Sequence, residues 1–149
     1  MSFSADIKAT PGLNRACKGL GALSDTDKVR LTVGATTRLL GSVNVDAALQ
    51  ASQPNAARWD YVVGQKVGNK EHLHWIEVHP AASTGNINEV AAKLDWLAHW
   101  MKTTPLVAYP RQIVWIASGK SAFNQRHPSL RALANRGLRY AGSHWSLRP

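Results

Sequence analysis

The chain has 149 residues, 44% hydrophobic and 18% charged, enough for one domain with a real core. Its single cysteine, Cys17, excludes an intrachain disulfide framework and a cysteine-based zinc site, and suits a reducing cytoplasm. A net charge of +9 favours an anionic partner, first of all nucleic acid, DNA or RNA, while no apolar run approaches the ~20 residues that cross a bilayer.

In chain order, residues 1–24 are rich in Gly, Ala and Ser and read as a loosely structured arm ahead of a single α/β domain over 25–149. Their start lacks the charged-then-apolar order of a signal peptide. Lys28 to Val33 alternates like a short strand, although Asp25 and Asp27 could instead cap a helix running to Leu40. Asn44 or Ser42 can cap a short helix over Val45 to Ala51. Trp59 to Val67 and Glu71 to His79 read as two strands joined at Gly68-Asn69-Lys70, a β-hairpin.

Asn86 or Asn88 then opens the clearest helix, whose apolar residues Ile87, Val90, Leu94, Leu97 and Met101 follow the spacing of a buried stripe. Gln112 to Ala117 is a nearly continuous apolar run, as in a strand buried on both faces. Ser129 caps a last helix closed by Gly137, and Trp145 to Leu147 forms a short final strand. A hairpin, a crossover helix and a further strand give an α/β (α+β) fold: one mixed sheet with a central hairpin, flanked by helices.

Charge is uneven. No acidic residue follows Asp95, whereas that tail holds Lys102, Arg111, Lys120, Arg126, Arg131, Arg136, Arg139 and Arg148. If Arg126, Arg131, Arg136 and Arg139 gather on one side, together with Lys120, they form a phosphate-binding surface. Arg131 and Arg136 diverge around their helix, so a shared patch needs the flanking loops.

Each hairpin strand carries one acid in an apolar run, Asp60 and Glu77. A carboxylate in such a run needs a partner. Side-chain alternation puts Trp75, Glu77 and His79 on one face, so pairing of the strands can bring Asp60, Glu77 and His79 together. Two carboxylates and an imidazole are good ligands for a divalent metal. Plainer partners also exist: Arg58 for Asp60, and Lys66 for Glu77. Glu89 and Lys93, four apart on one helix face, can form an exposed ion pair. His72 and His74 face away from Glu77 and read as half-buried polar residues. Trp96 and Trp100, also four apart beside Lys93, are expected to pack, although an exposed pair there could stack bases. Gly119-Lys120-Ser121 is no phosphate loop, because Val114 stands where the first glycine of that motif belongs.

This order of elements, with an acid in the first hairpin strand and Glu-x-basic in the second, resembles the PD-(D/E)xK nuclease-like superfamily over residues 42–118. The resemblance implies an αβββαβ, restriction-endonuclease-like core. It implies that Asp60 and Glu77 hold the metal and that Asp46 is the acid of the first helix. The superfamily's lysine position holds His79, which can accept a proton or bind metal but carries no permanent charge. Lys93 is then the candidate for a lysine that has migrated to the helix. The Trp-Asp-Tyr and Glu-Val-His-Pro segments also resemble those of small bacterial proteins, a likeness that assigns no activity. The implied function is a nuclease dependent on a metal, Mg²⁺ or Mn²⁺, with Asp60, Glu77, His79 and Lys93 as catalytic residues. The alternatives are a non-catalytic nucleic-acid-binding module of the same fold, or a protein-interaction or immunity-type domain with a basic face.

Overall fold

Five strands form one mixed sheet, in the order β2 (Arg38–Asn44), β3 (Tyr61–Val67), β4 (Lys70–His79), β5 (Arg111–Ala117) and β6 (Leu138–Tyr140). The computed structural model describes residues 2–148. Strands β2, β3 and β4 make an antiparallel meander. The β3–β4 turn places Gly68 at φ 60°, a left-handed conformation that glycine adopts without steric cost. Strands β5 and β6 continue the sheet in parallel, reached through α4 (Thr84–Met101) and α5 (Pro128–Asn135). A separate two-stranded parallel sheet pairs β1 (Leu31–Val33) with β7 (Trp145–Leu147). The single-domain mixed α+β architecture agrees with the expectation, while the helix that carries Asp46, Val45–Leu49, falls between β2 and β3, so two strands and not three separate it from α4.

The sheet is buried on both faces. On one face Val62, Leu73, Trp75 and Trp115 pack under α4 and α5, whose stripe Ile87, Val90, Leu94, Leu97 and Met101 is buried throughout. On the other, Val63, Ile76, Val114 and Ile116 pack with Leu31 and Leu147 of the small sheet. Ser83 precedes α4, and Asn86, inside its first turn, accepts from the Ala82 and Ser83 N–H groups. The helix therefore starts earlier than its asparagines suggest.

Residues 2–24 are docked, not a loose arm. Helix α1 (Phe3–Ala9) buries Phe3 and Ile7, Leu13 and Leu23 are also buried, and Cys17 bridges to Ser42 of β2. Gly64 makes room for this: a Cβ there would lie 2.9 Å from the Phe3 ring. The Phe3 N–H donates to Glu71 at 2.6 Å, and the Tyr109 hydroxyl donates to Asp6 at 2.5 Å. Between Asp25 and Leu40 neither simple expectation holds alone. A four-residue helix, α2 (Asp25–Lys28), capped by Ser24, precedes β1. Among the described residues, no helix is long and apolar enough to cross a membrane.

Candidate active site

Tyr61 pairs with Ile76, so Asp60, one residue ahead of β3, stands opposite Glu77 of β4 on the face covered by α4. Asn44 caps α3 (Val45–Leu49), and the Asp60 carbonyl accepts from the Val45 and Asp46 N–H groups at 2.9 and 3.3 Å. The strand entry and the short helix are thereby tied together.

Glu77 is fully buried and its charge is matched atom by atom. Oε1 accepts from the Asp60 N–H at 3.0 Å, and Oε2 lies 2.5 Å from Lys93 Nζ. Asp60 Oδ2 accepts from the Val78 N–H at 3.0 Å, while Oδ1 lies 3.9 Å from the same Lys93 nitrogen. One lysine thus faces both carboxylates. Burial, reinforced by the nearby Glu77 charge, pushes the Asp60 carboxyl up to about 7. Burial by itself would lower the Lys93 pKa, but the attraction and hydrogen bond of Glu77, with Asp60 beyond, carry it upward and keep the cation.

His79 lies between two acids, with Nδ1 3.6 Å from Glu77 Oε2 and Nε2 3.3 Å from Glu89 Oε1. The Glu77 hydrogen bond is the main cause of its raised pKa, against the opposing effect of burial. Trp115 Nε1 donates to the His79 carbonyl at 3.0 Å and fixes the strand end. Glu89 also accepts from Asn86 Nδ2 at 2.7 Å, and this bond, followed by that to His79, lowers its pKa.

Several sequence expectations change here. Lys93 does not form an exposed pair with Glu89. It turns into the sheet end toward Glu77 and Asp60, while Glu89 meets His79. Arg58 pairs with Asp46 at 2.9 Å instead of Asp60, and it also donates to the Gln53 carbonyl. Lys66 sits opposite Glu71, far along the hairpin from Glu77. Asp46 therefore borders the acid pair with its carboxylate committed to Arg58. His74 faces away, as expected, and both its ring nitrogens are engaged, Nε2 with Gln65 and Nδ1 with Trp145.

The basic residues divide. Lys120 and Arg126 are exposed on the segment between β5 and α5, which is held to the β4 exit where the Ala122 N–H donates to the Ala81 carbonyl at 2.9 Å. Arg131 is exposed on α5, and Arg136 pairs with Asp95 of α4. Arg139 lies over the Trp145 ring, 5.6 Å from its centroid. Its neighbours Leu138 and Tyr140 point into the α4–α5 core, so Arg139 projects from the opposite face. Arg136 and Arg139 are thus engaged within the chain, whereas Lys120, Arg126 and Arg131 are exposed.

Among the described residues, no group of three or more histidine, cysteine, aspartate or glutamate side chains is placed to hold a metal. What Asp60 and Glu77 offer is an oxygen donor set of two carboxylates on neighbouring strands. By its chemistry such a pair suits a hard cation such as Mg²⁺ or Mn²⁺ and not a metal wanting thiolate, but Lys93 Nζ holds Glu77 Oε2 at 2.5 Å, so a cation would have to displace the lysine from that oxygen. Compared with known proteins, the chain matches no family model, no curated protein and no solved structure.

Proposed function

We propose that this chain is a cytoplasmic, metal-dependent nuclease of the PD-(D/E)xK kind, acting on phosphodiesters of DNA or RNA. The observation that carries the reading is that Lys93 Nζ lies within 4 Å of both the Asp60 and the Glu77 carboxylates. An acid pair on adjoining strands with a lysine from the following helix is a set that metal-dependent phosphodiester cleavage can use. Asp60 and Glu77 would hold Mg²⁺ or Mn²⁺, which when bound polarises the phosphate and acidifies water.

The chain's own residues supply the rest. Lys93 stays charged and offsets the negative charge of a phosphate beside the acids. His79, whose pKa is raised chiefly by its hydrogen bond with Glu77, can hand a proton from Nε2, on the side of the exposed Glu89, to the departing oxygen. This differs from a metal-ligand role, since both ring nitrogens are already engaged. Lys120 and Arg126 lie on a segment tied to the end of β4, where an incoming backbone would meet positive charge.

One observation favours the non-catalytic alternative. Lys93 already balances Glu77, so the cluster is electrostatically complete and can serve a protein that binds nucleic acid without cutting it. The test is incubation of single-stranded and duplex DNA and RNA with and without Mn²⁺. The nuclease reading expects Mn²⁺-dependent cleavage that is lost in Asp60→Asn, Glu77→Gln and Lys93→Met. Salt-sensitive binding with no turnover would replace it with the binding module, and absence of both binding and turnover would point to a protein partner.

A further inference from the structure

Trp96 and Trp100 stack with centroids 5.2 Å apart and planes 9° from parallel, and Trp75 meets Trp100 edge-on at 6.0 Å. Both stacked rings stay partly exposed, unlike the fully buried Trp75. Trp96 Nε1 donates to Gln53 Oε1 at 2.9 Å. An indole nitrogen only donates, so the amide oxygen of Gln53 must face it and the amide NH₂ must point elsewhere. Among the described residues, that NH₂ has no hydrogen-bond partner.

Gln53 and Trp100 line a surface groove of about 530 Å³ at the C-terminal ends of α3 and α4, together with Leu49, Ser52, Thr103 and Thr104. No ionisable side chain lines it among the described residues. Its occupant is therefore not held by charge. The Trp100 ring, the Gln53 amide and the hydroxyls of Ser52 and Thr103, which donate to backbone carbonyls and can still accept, match a flat, neutral ring with polar edges. The indoles are already held by their neighbours, so binding such a ring orders little.

The groove's position matters as much as its lining. Lys93, Trp96 and Trp100 fall three and four residues apart along one stripe of α4. At a rise of 1.5 Å per residue, Trp100 lies about 10 Å along the axis from Lys93. On the nuclease reading, a molecule reaching both places carries a phosphate at the acid pair and a neutral aromatic ring at its other end. On a chain of net charge +9, that description fits a nucleotide strand.

We propose that this groove binds an unpaired nucleobase of the strand whose phosphate lies at Asp60, Glu77 and Lys93, so that the substrate is single-stranded or has an extruded base. The proposal rests on the nuclease reading of that site for its phosphate end, and the groove itself is tested without catalysis.

The experiment measures fluorescence anisotropy of a labelled oligothymidylate and of an abasic deoxyribose-phosphate oligomer of equal length, with the full chain and no added metal. Both probes carry the same phosphates, so their affinity ratio isolates the base. The wild-type chain should prefer the oligothymidylate by about tenfold. Trp100→Leu and Gln53→Glu should each bring the ratio close to one. Gln53→Glu keeps an acceptor for Trp96 and so preserves the local packing. A wild-type ratio of one, or a preference unchanged in both variants, would overturn the proposal. Cleavage with Mn²⁺ separates it from the reading of the acid pair. Cleavage with no base preference ends the groove proposal alone. A Trp100-dependent preference without cleavage supports the groove and ends the nuclease reading.

Discussion

Asp60 and Glu77 clasp each other's strand: the Asp60 N–H donates to Glu77 Oε1, and Asp60 Oδ2 accepts from the Val78 N–H, both at 3.0 Å. The same carboxylates that face Lys93 therefore also hold the end of the β3–β4 pairing. Structural and chemical roles share these atoms, so substitutions here must be judged on stability as well as on turnover.

Lys93→Met should be strongly destabilising, because it leaves the wholly buried Glu77 carboxylate without its cation. Loss of one partner of a buried pair costs about 3–5 kcal/mol. The double variant Glu77→Gln, Lys93→Met removes both charges, and glutamine can still accept from the Asp60 N–H. It should be more stable than Lys93→Met alone in urea unfolding. A double variant that is worse than either single change would show that the ion pair is not the main term.

Leu94 is 3% exposed at the middle of the α4 stripe. Leu94→Ala should cost about 2–5 kcal/mol by lost burial and the cavity left behind. A shift below half of a kcal/mol in chemical denaturation would place this residue outside the core.

These features differ in how far the sequence could reveal them. The hairpin register was readable, because Gly68 marks the turn and both strands alternate; that suffices to set Asp60 against Glu77. The α4 stripe was readable from its spacing for the same kind of reason. Lys93 was legible only through the family resemblance, because its reach depends on where α4 crosses the sheet, and the local signal of Glu89 four residues earlier equally allows a surface pair. The docking of α1 was hidden because it depends on the space above Gly64, 61 positions from Phe3 in a different element. Strand β6 is three residues long and carries Arg139 at its centre, too little for a periodic pattern. The Trp96–Gln53 bond joins residues 43 apart and has no local signature.

The different partners of the basic residues give an expectation for salt dependence. Lys120 and Arg126 lie on the segment tied to the β4 exit, whereas Arg136 is occupied by Asp95. Each phosphate contact contributes about −0.9 to the slope of log affinity against log salt for duplex DNA. A Lys120→Ala, Arg126→Ala variant should lower the slope magnitude by about two units, measured by anisotropy from low to moderate salt. Arg136→Ala should leave it nearly unchanged. The reverse pattern would move the nucleic-acid surface to the α4–α5 side.

His74 provides the clearest acid sensitivity. Gln65 Nε2 donates to the Arg148 carbonyl, so Gln65 Oε1 must be the atom facing His74 Nε2 at 2.7 Å. His74 Nε2 is therefore the donor. Its Nδ1 is left to accept from Trp145 Nε1, a long contact of 3.4 Å. This is a neutral tautomer, and a proton on Nδ1 would confront the indole N–H. Burial, helped by nearby His72, lowers the pKa from 6.5 to about 4. Below pH 6.5 the unfolded chain takes up a proton here that the folded chain refuses until about pH 4. Stability is therefore fully present above pH 6.5 and is lost progressively as pH falls toward 4, by about 3 kcal/mol in all. His74→Gln, which keeps a donor and an acceptor but does not titrate, should remove this part of the decline while costing some stability at pH 8. The measurement is urea unfolding of both proteins at pH 8, 6, 5 and 4. The stability difference between them should narrow or reverse as the solution becomes acidic. A constant difference across the series would mean that His74 is protonated in the folded chain as readily as in the unfolded one, and that the Gln65–His74–Trp145 chain does not hold the neutral ring.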